Sequence, residues 1–244
     1  MSGIKDHPFA VEAFFESSLV LTYAIPAAVL RPMVPARFEL DVFLDKWAFA
    51  AIAIVKAKHL RPRGLPAFMG NDFVLAGYRV FVRYTTSNGK NLRGLYILKS
   101  ETDKRKMAFL GNLFTHYRYT TTDISHTHDD NILTVRSARS GLHIVAGIRS
   151  AEAALPAGSP FSSWKEARRF AGPLPFTFTY NADNKKILII EGVRENWKPM
   201  PVNVINYKFS FIDNLKLNGV TLANAFMIRN IPYYWKRGKI EHWK

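Results

Sequence analysis

The chain has 244 residues, of which 48% are hydrophobic and 14% aromatic, and 34 Lys and Arg against 19 Asp and Glu give a formal net charge of +15. This composition supplies a sizeable core and excludes an intrinsically disordered chain. The sequence contains no cysteine, which excludes disulfides, thiolate metal sites and cysteine nucleophiles.

The excess of positive charge makes nucleic acid, acidic membranes and small anionic ligands the candidate partners. The cations are spread along the whole chain, which is typical of a broadly basic globular surface. The longest apolar run, Trp47–Val55, is well short of the ~20 residues that a membrane-spanning helix needs. The first residues lack the basic start and apolar stretch of a secretory signal. We therefore expect a cytoplasmic protein without a membrane span.

Short β-rich segments separated by turn residues dominate the first half of the chain. A brief helix begins at Pro26, and two further prolines end it early. The segments "YRVFVRYTT" and "LRGLYILK" flank residues 88–89, an Asn-Gly pair that predicts a hairpin. The segment "TDKRKMAFLGNLF" then predicts a helix that Thr102 or Asp103 caps.

The second half continues the pattern. Turns are predicted at Asp129–Asn131 and Asn181–Asn184, and "VINYKFSFI" is one more alternating strand. Ser163 and Glu166 form a capping box that predicts a helix. The Pro-, Gly- and Ser-rich residues 155–163 are the best candidate for a domain boundary, but strands continue beyond them, so we expect one domain over residues 1–244. The whole pattern predicts a mainly β protein with a few short helices and a large, curved antiparallel sheet or barrel.

The segment "RPRGLP" is the first candidate binding site. Two prolines fix the backbone around Arg61 and Arg63, and Gly64 permits a tight bend. The planar guanidinium group suits a carboxylate or phosphate because it donates two parallel hydrogen bonds. The alternative is a stiff turn whose arginines face water.

Two other clusters have simpler interpretations. His126 and His128 share one strand face but lack a distant third ligand, and we predict no metal site. The C-terminal tail interleaves aromatic residues with Lys and Arg, a composition that suits single-stranded nucleic acid. No recognisable nucleic-acid module accompanies the tail. We expect the tail to dock onto the barrel or onto a second subunit.

Three segments, read in order, carry a family resemblance over about Glu16 to Tyr119. They are "VLRPMVPARFELDVFLDKWAFAAIAIVKAKHLRPRGLPAF", "YRVFVRY" and "GLYILKSETDKRKMAFLGNLFTHYRY". They resemble the YqjF-like bacterial family, a domain of unknown function grouped with the acetoacetate decarboxylases. The resemblance implies an acetoacetate decarboxylase-like fold, a mostly antiparallel, cone-like β-barrel with an internal ligand cavity, often assembled into homo-oligomers.

The resemblance also implies a chemistry that can be checked residue by residue. Decarboxylases of this superfamily form a Schiff base between a lysine of lowered pKa and a β-keto acid. Thr115 and His116 occupy the positions of their paired lysines, and Glu16 occupies that of a site arginine. Their strand glutamate falls here in the apolar run Trp47–Val55. We therefore do not expect acetoacetate decarboxylase activity, although a cavity can persist without that reaction.

The candidate ligand-binding residues are Arg61, Arg63, Arg79, Arg83, Tyr117 and Arg118. Because "YRVFVRY" alternates, Arg79 and Arg83 share one face with Phe81. Arginines that point into a cavity need an anionic partner, since burying an unpaired charge is costly. The apolar opposite face, which begins at Tyr78, favours the interpretation that the arginines point outward.

We therefore predict a barrel that binds a small acidic organic molecule, with arginines as an anion clamp. If the protein is an enzyme, His116 or Glu16 is the candidate acid or base, and no cofactor is predicted. One alternative is nucleic-acid binding through the basic surface and aromatic tail. Another is a non-catalytic assembly protein whose tail packs against a neighbouring subunit.

Overall fold

The computed structural model describes residues 3–148, 153–195 and 197–243. The strands are β1 (Val11–Pro26), β2 (Glu39–Leu40), β3 (Trp47–Pro62), β4 (Asn71–Thr85), β5 (Asn91–Thr102), β6 (Tyr119–Thr121), β7 (Ser125–Asp129), β8 (Ile132–Ser137), β9 (Leu142–Gly147), β10 (Phe176–Asn181), β11 (Lys186–Arg194), β12 (Met200–Pro201), β13 (Asn203–Phe209), β14 (Thr221–Trp235) and β15 (Lys239–His242). The α-helices are α1 (Ala27–Leu30), α2 (Arg105–Phe114), α3 (Trp164–Ala171) and α4 (Ser210–Asn214). The prediction of a mainly β protein with a few short helices is confirmed.

The larger sheet closes on itself. Its strands follow the order β14, β1, β3, β4, β5, β10, β11, and β11 pairs with β14 again. In that closing pair, Gly192 lies opposite Trp235 and Arg194 opposite Tyr233. Every neighbouring pair in the ring is antiparallel except β5 with β10. The ring therefore matches the predicted cone-like, mostly antiparallel barrel.

A second sheet, in the order β13, β9, β8, β7, covers part of the ring. One core cluster joins apolar side chains of the ring, such as Tyr78 and Val80, to Leu133, Val135 and Ile144 of the second sheet. Strand β4 is therefore buried on both of its faces, one toward the second sheet and the other toward the interior of the ring.

The sequence of β3 explains why the ring has room inside. Alternation along the strand sends Ile52 and Ile54 into the core shared with the second sheet. Ala51 and Ala53 point to the opposite face, where they line an interior cavity. The large side chains of β3 therefore pack on the outside of the ring, and its small alanines leave space for the cavity on the inside.

Local signals in the sequence were accurate in most places. The hairpin between β4 and β5 turns through residues 86–90, and Gly89 adopts a φ of 78°. Ser163 caps α3 by accepting a hydrogen bond from the Glu166 amide. The predicted cap of α2 is wrong, because Lys104 is the N-cap and Asp103 accepts a hydrogen bond from the Val74 amide instead.

The proposed boundary and the C-terminal tail both pack against the ring. Ser159 donates a hydrogen bond to the Ala223 carbonyl, and the ring of Phe161 stacks on that of Phe49 at 5.3 Å. Strand β15 pairs with β11, which confirms that the tail docks onto the barrel. In the described residues, no helix has the length and apolar character needed to cross a membrane.

Candidate ligand-binding site

A cavity of about 120 Å³ lies inside the ring, and all seven ring strands contribute side chains to its wall. Most of the lining is apolar, including Phe81, Leu95 and Phe226. The charged and polar members that define its chemistry are Arg79, Arg194, Tyr117, Tyr119, Thr177 and Tyr233. None of the described residues that line it is an Asp or a Glu.

Arg79 is the central charge of this cavity. Its Nε is shielded from solvent, and the described residues offer that atom no hydrogen-bond partner. Burial lowers the pKa of Arg79 from its ordinary value, since the charged form has lost water. The groups that favour its charged form are the phenols of Tyr233, Tyr117 and Tyr119, and no carboxylate is among them.

The interpretation that Arg79 points outward is wrong. Arg79 and Phe81 both line the interior cavity, while Tyr78 and Val80 pack outward against the second sheet. The apolar face of a strand normally marks the inside only when its other face meets water. Here the second sheet covers the outer face, so that face needs the apolar residues.

The phenol groups supply neutral hydrogen-bonding groups around Arg79. Tyr117 Oη lies 2.6 Å from Thr177 Oγ1, which fixes its ring beside the cavity. Burial raises the pKa of Tyr117, and it raises the pKa of Tyr119 to about 12. Both phenols therefore keep their protons at neutral pH.

Arg194 and Tyr233 form the wall where β11 and β14 close the ring. Arg194 donates a hydrogen bond to the Pro173 carbonyl at 2.6 Å and a longer one to Tyr233 Oη at 3.4 Å. Its guanidinium lies 4.8 Å from the centre of the Trp197 ring. Gly192 leaves the space for the phenol, because a Cβ at that position would stand 1.9 Å from Tyr233 Oη.

Arg61 and Arg63 lie elsewhere, along a groove of about 560 Å³ beside the β11–β14 junction. Arg61 pairs with Glu12 at 2.8 Å and donates a hydrogen bond to the Leu65 carbonyl. The Arg63 guanidinium lies 4.6 Å from the centre of the Tyr234 ring. Both arginines thus have partners within the chain, and the structure does not bring them together with Arg79.

Two further predicted ligand residues also lie away from the interior cavity. Arg83 pairs with Asp41 at 2.8 Å, and Arg93 pairs with the other oxygen of the same carboxylate. Arg118 is exposed, with a left-handed φ of 54°, and it is not among the residues that line the cavity. Of the predicted ligand residues, the cavity brings together only Arg79 and Tyr117.

The two candidate acid/base residues do not line the cavity either. His116 faces the buried Asp6, with Nε2 and Oδ1 3.7 Å apart. Burial lowers the pKa of His116 in spite of that carboxylate. Glu16 is paired with Lys56. Their placement gives neither residue contact with a ligand beside Arg79.

Four residues of the site were not predicted from the sequence: Arg194, Tyr119, Thr177 and Tyr233. The first three come from separate parts of the chain, and only the closing of the ring assembles them. Tyr233 belongs to ring strand β14, and its ring stacks on that of Phe15 at 4.7 Å inside the barrel. The sequence did carry a signal for Arg79. Gly77 lies two residues earlier on the same strand face, and a glycine there lets the arginine side chain lie close to the backbone.

The closed ring of strands has the acetoacetate decarboxylase-like fold. The chain belongs to DUF2071, a family described as an uncharacterized conserved protein (COG2071), whose model matches residues 13–232. This membership confirms the predicted resemblance to a domain of unknown function, and solved structures show that its fold is acetoacetate decarboxylase-like. No curated protein matches the chain significantly in sequence.

Solved structures share the fold at low sequence identity. An acetoacetate decarboxylase from Legionella pneumophila has a TM-score of 0.61 and 11% identity. The match covers 96% of this chain and 88% of the decarboxylase chain. An acetoacetate decarboxylase-like enzyme from Sphingomonas wittichii RW1 has a TM-score of 0.59 and 12% identity, covering 99% and 94%. The enduracididine biosynthesis enzyme MppR, complexed with pyruvate, has a TM-score of 0.52 and 8% identity, covering 97% and 89%.

Proposed function

We propose that this protein binds a small organic acid inside the ring and that Arg79 receives its carboxylate. The observation that carries the proposal is an arginine inside the ring whose Nε is shielded from solvent and has no partner among the described residues, in a cavity whose described lining has no Asp or Glu. Leaving such a charge uncompensated is costly, because the interior screens it poorly. An organic anion supplies the missing counter-charge.

The surrounding groups suit a carboxylate. A guanidinium donates two parallel hydrogen bonds to the two carboxylate oxygens, and this geometry is stronger than a neutral contact. The protonated phenols of Tyr117 and Tyr119 add neutral donors without adding a competing negative charge. Arg194 contributes a second positive charge at the closing pair of strands.

The size of the cavity limits the acid. A cavity of about 150 Å³ holds benzene, which has six heavy atoms. The interior cavity of about 120 Å³ therefore suits the head of a small acid. The pyruvate complex of MppR supports this choice, since pyruvate is a carboxylate of six heavy atoms bound by a protein of similar fold. The described lining residues include no lysine, so the proposal is for binding and does not include imine chemistry.

A thermal-shift screen tests the proposal, because a ligand that binds only the folded state raises Tm. The panel contains acetate, pyruvate, longer monocarboxylates and a short oligonucleotide, each at low and moderate salt. We expect a carboxylate to raise Tm at both salt concentrations, and Arg79→Gln to remove the shift.

The matched variant is Arg63→Gln, which removes one arginine of the clamp predicted from the loop at a residue that does not line the interior cavity. We expect it to keep the carboxylate shift. Loss of the shift in the loop variant alone would move the site to the groove. A shift from the oligonucleotide alone, abolished by salt, would favour nucleic-acid binding through the basic surface.

A further inference from the structure

We infer that the acid carries an apolar tail, an aryl or alkyl group, which occupies a second cavity next to the first. This inference rests on the proposed function, because it assumes that the carboxylate binds at Arg79. It extends that function by naming the ligand class as hydrophobic monocarboxylic acids.

The second cavity, which we call the tail chamber, has a volume of about 290 Å³. Strand ends, the N-terminal segment and helix α2 enclose it. The apolar side chains that characterise it are Phe9, Phe73, Met107, Leu110 and Phe114. The rings of Phe9 and Phe114 meet edge to face at 5.0 Å, one of the arrangements that aromatic pairs prefer.

The tail chamber adjoins the cavity that contains Arg79. Six side chains line both spaces: Phe15, Val55, Leu75, Tyr117, Tyr119 and Trp235. A carboxylate held by Arg79 therefore has the tail chamber as its neighbour within the barrel. An acid with both a charged head and an apolar tail uses the two environments that the chain provides.

The tail chamber offers little to a polar ligand. Two of its polar side chains are already engaged, Arg61 with Glu12 and Thr115 with the Gly111 carbonyl. The rest of its polar lining is uncharged and includes Asn71 and His7, and burial lowers the pKa of His7 to about 4, so that side chain is neutral near pH 7. The chamber is also large enough for the tail, since a cavity of about 150 Å³ already admits benzene.

A ligand series on the unmodified protein provides the first test. The dissociation constants of acetate, butanoate, hexanoate and 3-phenylpropanoate are measured by isothermal titration calorimetry. Each buried methylene group should lower Kd about fourfold. We expect hexanoate and 3-phenylpropanoate to bind at least about 10-fold more tightly than acetate. Arg79→Gln should weaken every member of the series.

Two variants on the same helix locate the tail. Leu110→Trp fills the chamber and should remove the advantage of 3-phenylpropanoate while leaving acetate binding unchanged. Phe109→Trp is the matched control, since Phe109 is 68% exposed on the neighbouring position of α2. Met107→Phe is a second variant, which fills the chamber with a smaller increase in side-chain volume. Thermal melting shows that each variant is folded.

The outcomes separate the inference from the function beneath it. Equal affinity for all four acids, with dependence on Arg79, overturns the tail and leaves the carboxylate site intact. The same conclusion follows if the longer acids bind tightly but neither Leu110→Trp nor Met107→Phe affects them. Binding of no acid, or binding indifferent to Arg79→Gln, overturns the proposed function itself.

Discussion

The guanidinium of Arg79 lies directly over Gly77, two residues earlier on the same face of β4. A Cβ at residue 77 would stand 2.8 Å from Nη2 and 3.0 Å from Nε of Arg79. The missing side chain at residue 77 is thus what allows the arginine to lie along its own strand inside the ring. This relationship connects a short sequence pattern to the geometry of the proposed site.

We predict that Gly77→Ala displaces the Arg79 side chain and weakens carboxylate binding at least about tenfold, which corresponds to ~1.4 kcal/mol. The atoms in its way are the far end of a flexible side chain, so the free energy of unfolding should change by less than about 1 kcal/mol. Titration calorimetry and chemical denaturation measure the two quantities. Gly147→Ala is the control, because a Cβ there meets nothing closer than 3.8 Å. Equal affinity in both variants would show that the position of Arg79 does not govern binding.

Arg79→Met should stabilise the unliganded protein. The substitution replaces a charge that has no carboxylate partner among the described residues with an apolar side chain of similar length, and we expect the free energy of unfolding to rise by about 1–2 kcal/mol. Carboxylate binding should disappear in the same variant. A gain in stability together with a loss of binding is expected when a residue is kept for function. Arg93→Met provides the contrast, because Arg93 is paired with Asp41 and its loss should destabilise. A destabilised Arg79→Met protein would mean that Arg79 has structural partners in the folded state.

Asp41→Asn should lower the free energy of unfolding by about 3 kcal/mol. Asp41 is fully buried and lies between the guanidinium groups of Arg83 and Arg93. Removing its charge leaves two arginines without their shared counter-ion. Asp72→Asn is the matched control, since that carboxylate is 48% exposed and pairs with Lys58, and it should cost less than about 1 kcal/mol. Chemical denaturation compares the two, and equal losses would contradict a special role for Asp41.

Stability should fall as the pH is lowered from about 6.5 to about 4. Burial lowers the pKa of His7 from 6.5 to about 4, and it does the same for His126. The unfolded state therefore takes up protons first, and each histidine reduces stability by up to about 1.4 kcal/mol per pH unit within this window. Above pH 6.5 both histidines are neutral in the folded and unfolded states, so they no longer change stability with pH there.

His7→Asn measures one of these two contributions. Asn tolerates the left-handed backbone of residue 7, where φ is 51°, so the substitution isolates the titration. We expect the curve of unfolding free energy against pH to become flatter between pH 6.5 and 4. His59→Asn is the control at a side chain that is 50% exposed, and it should retain the wild-type slope. An unchanged slope in His7→Asn would assign the acid sensitivity to other groups.

Patterns that act over a few residues predicted most of the fold. The Asn-Gly pair at 88–89, the cap at Ser163 and the alternation in β3 and β4 act locally, and the structure follows them. Alternation alone does not predict whether the strands close into a ring. The closed, cone-like arrangement was predicted from the family resemblance. A single domain over 1–244, a cytoplasmic location, assembly into homo-oligomers and the acid/base roles of His116 and Glu16 stay predictions.

The site was less accessible from the sequence because it depends on pairings between distant strands. Arg194 meets Tyr233 only because β11 joins β14, and neither strand carries a signal for that partner. The orientation of Arg79 was predicted wrongly because the second sheet, which covers the outer face of β4, is built from later residues. The arginines of "RPRGLP" drew attention for their spacing, but Glu12 and Tyr234 satisfy them.

The central claim, that an organic acid binds beside Arg79, is tested most directly by a crystal structure of the protein with the tightest acid of the series. We predict electron density for the carboxylate inside the ring, with its oxygens about 3 Å from the guanidinium nitrogens of Arg79. A carboxylate bound at Arg61 or Arg63, with no density for an acid inside the ring, would contradict the account.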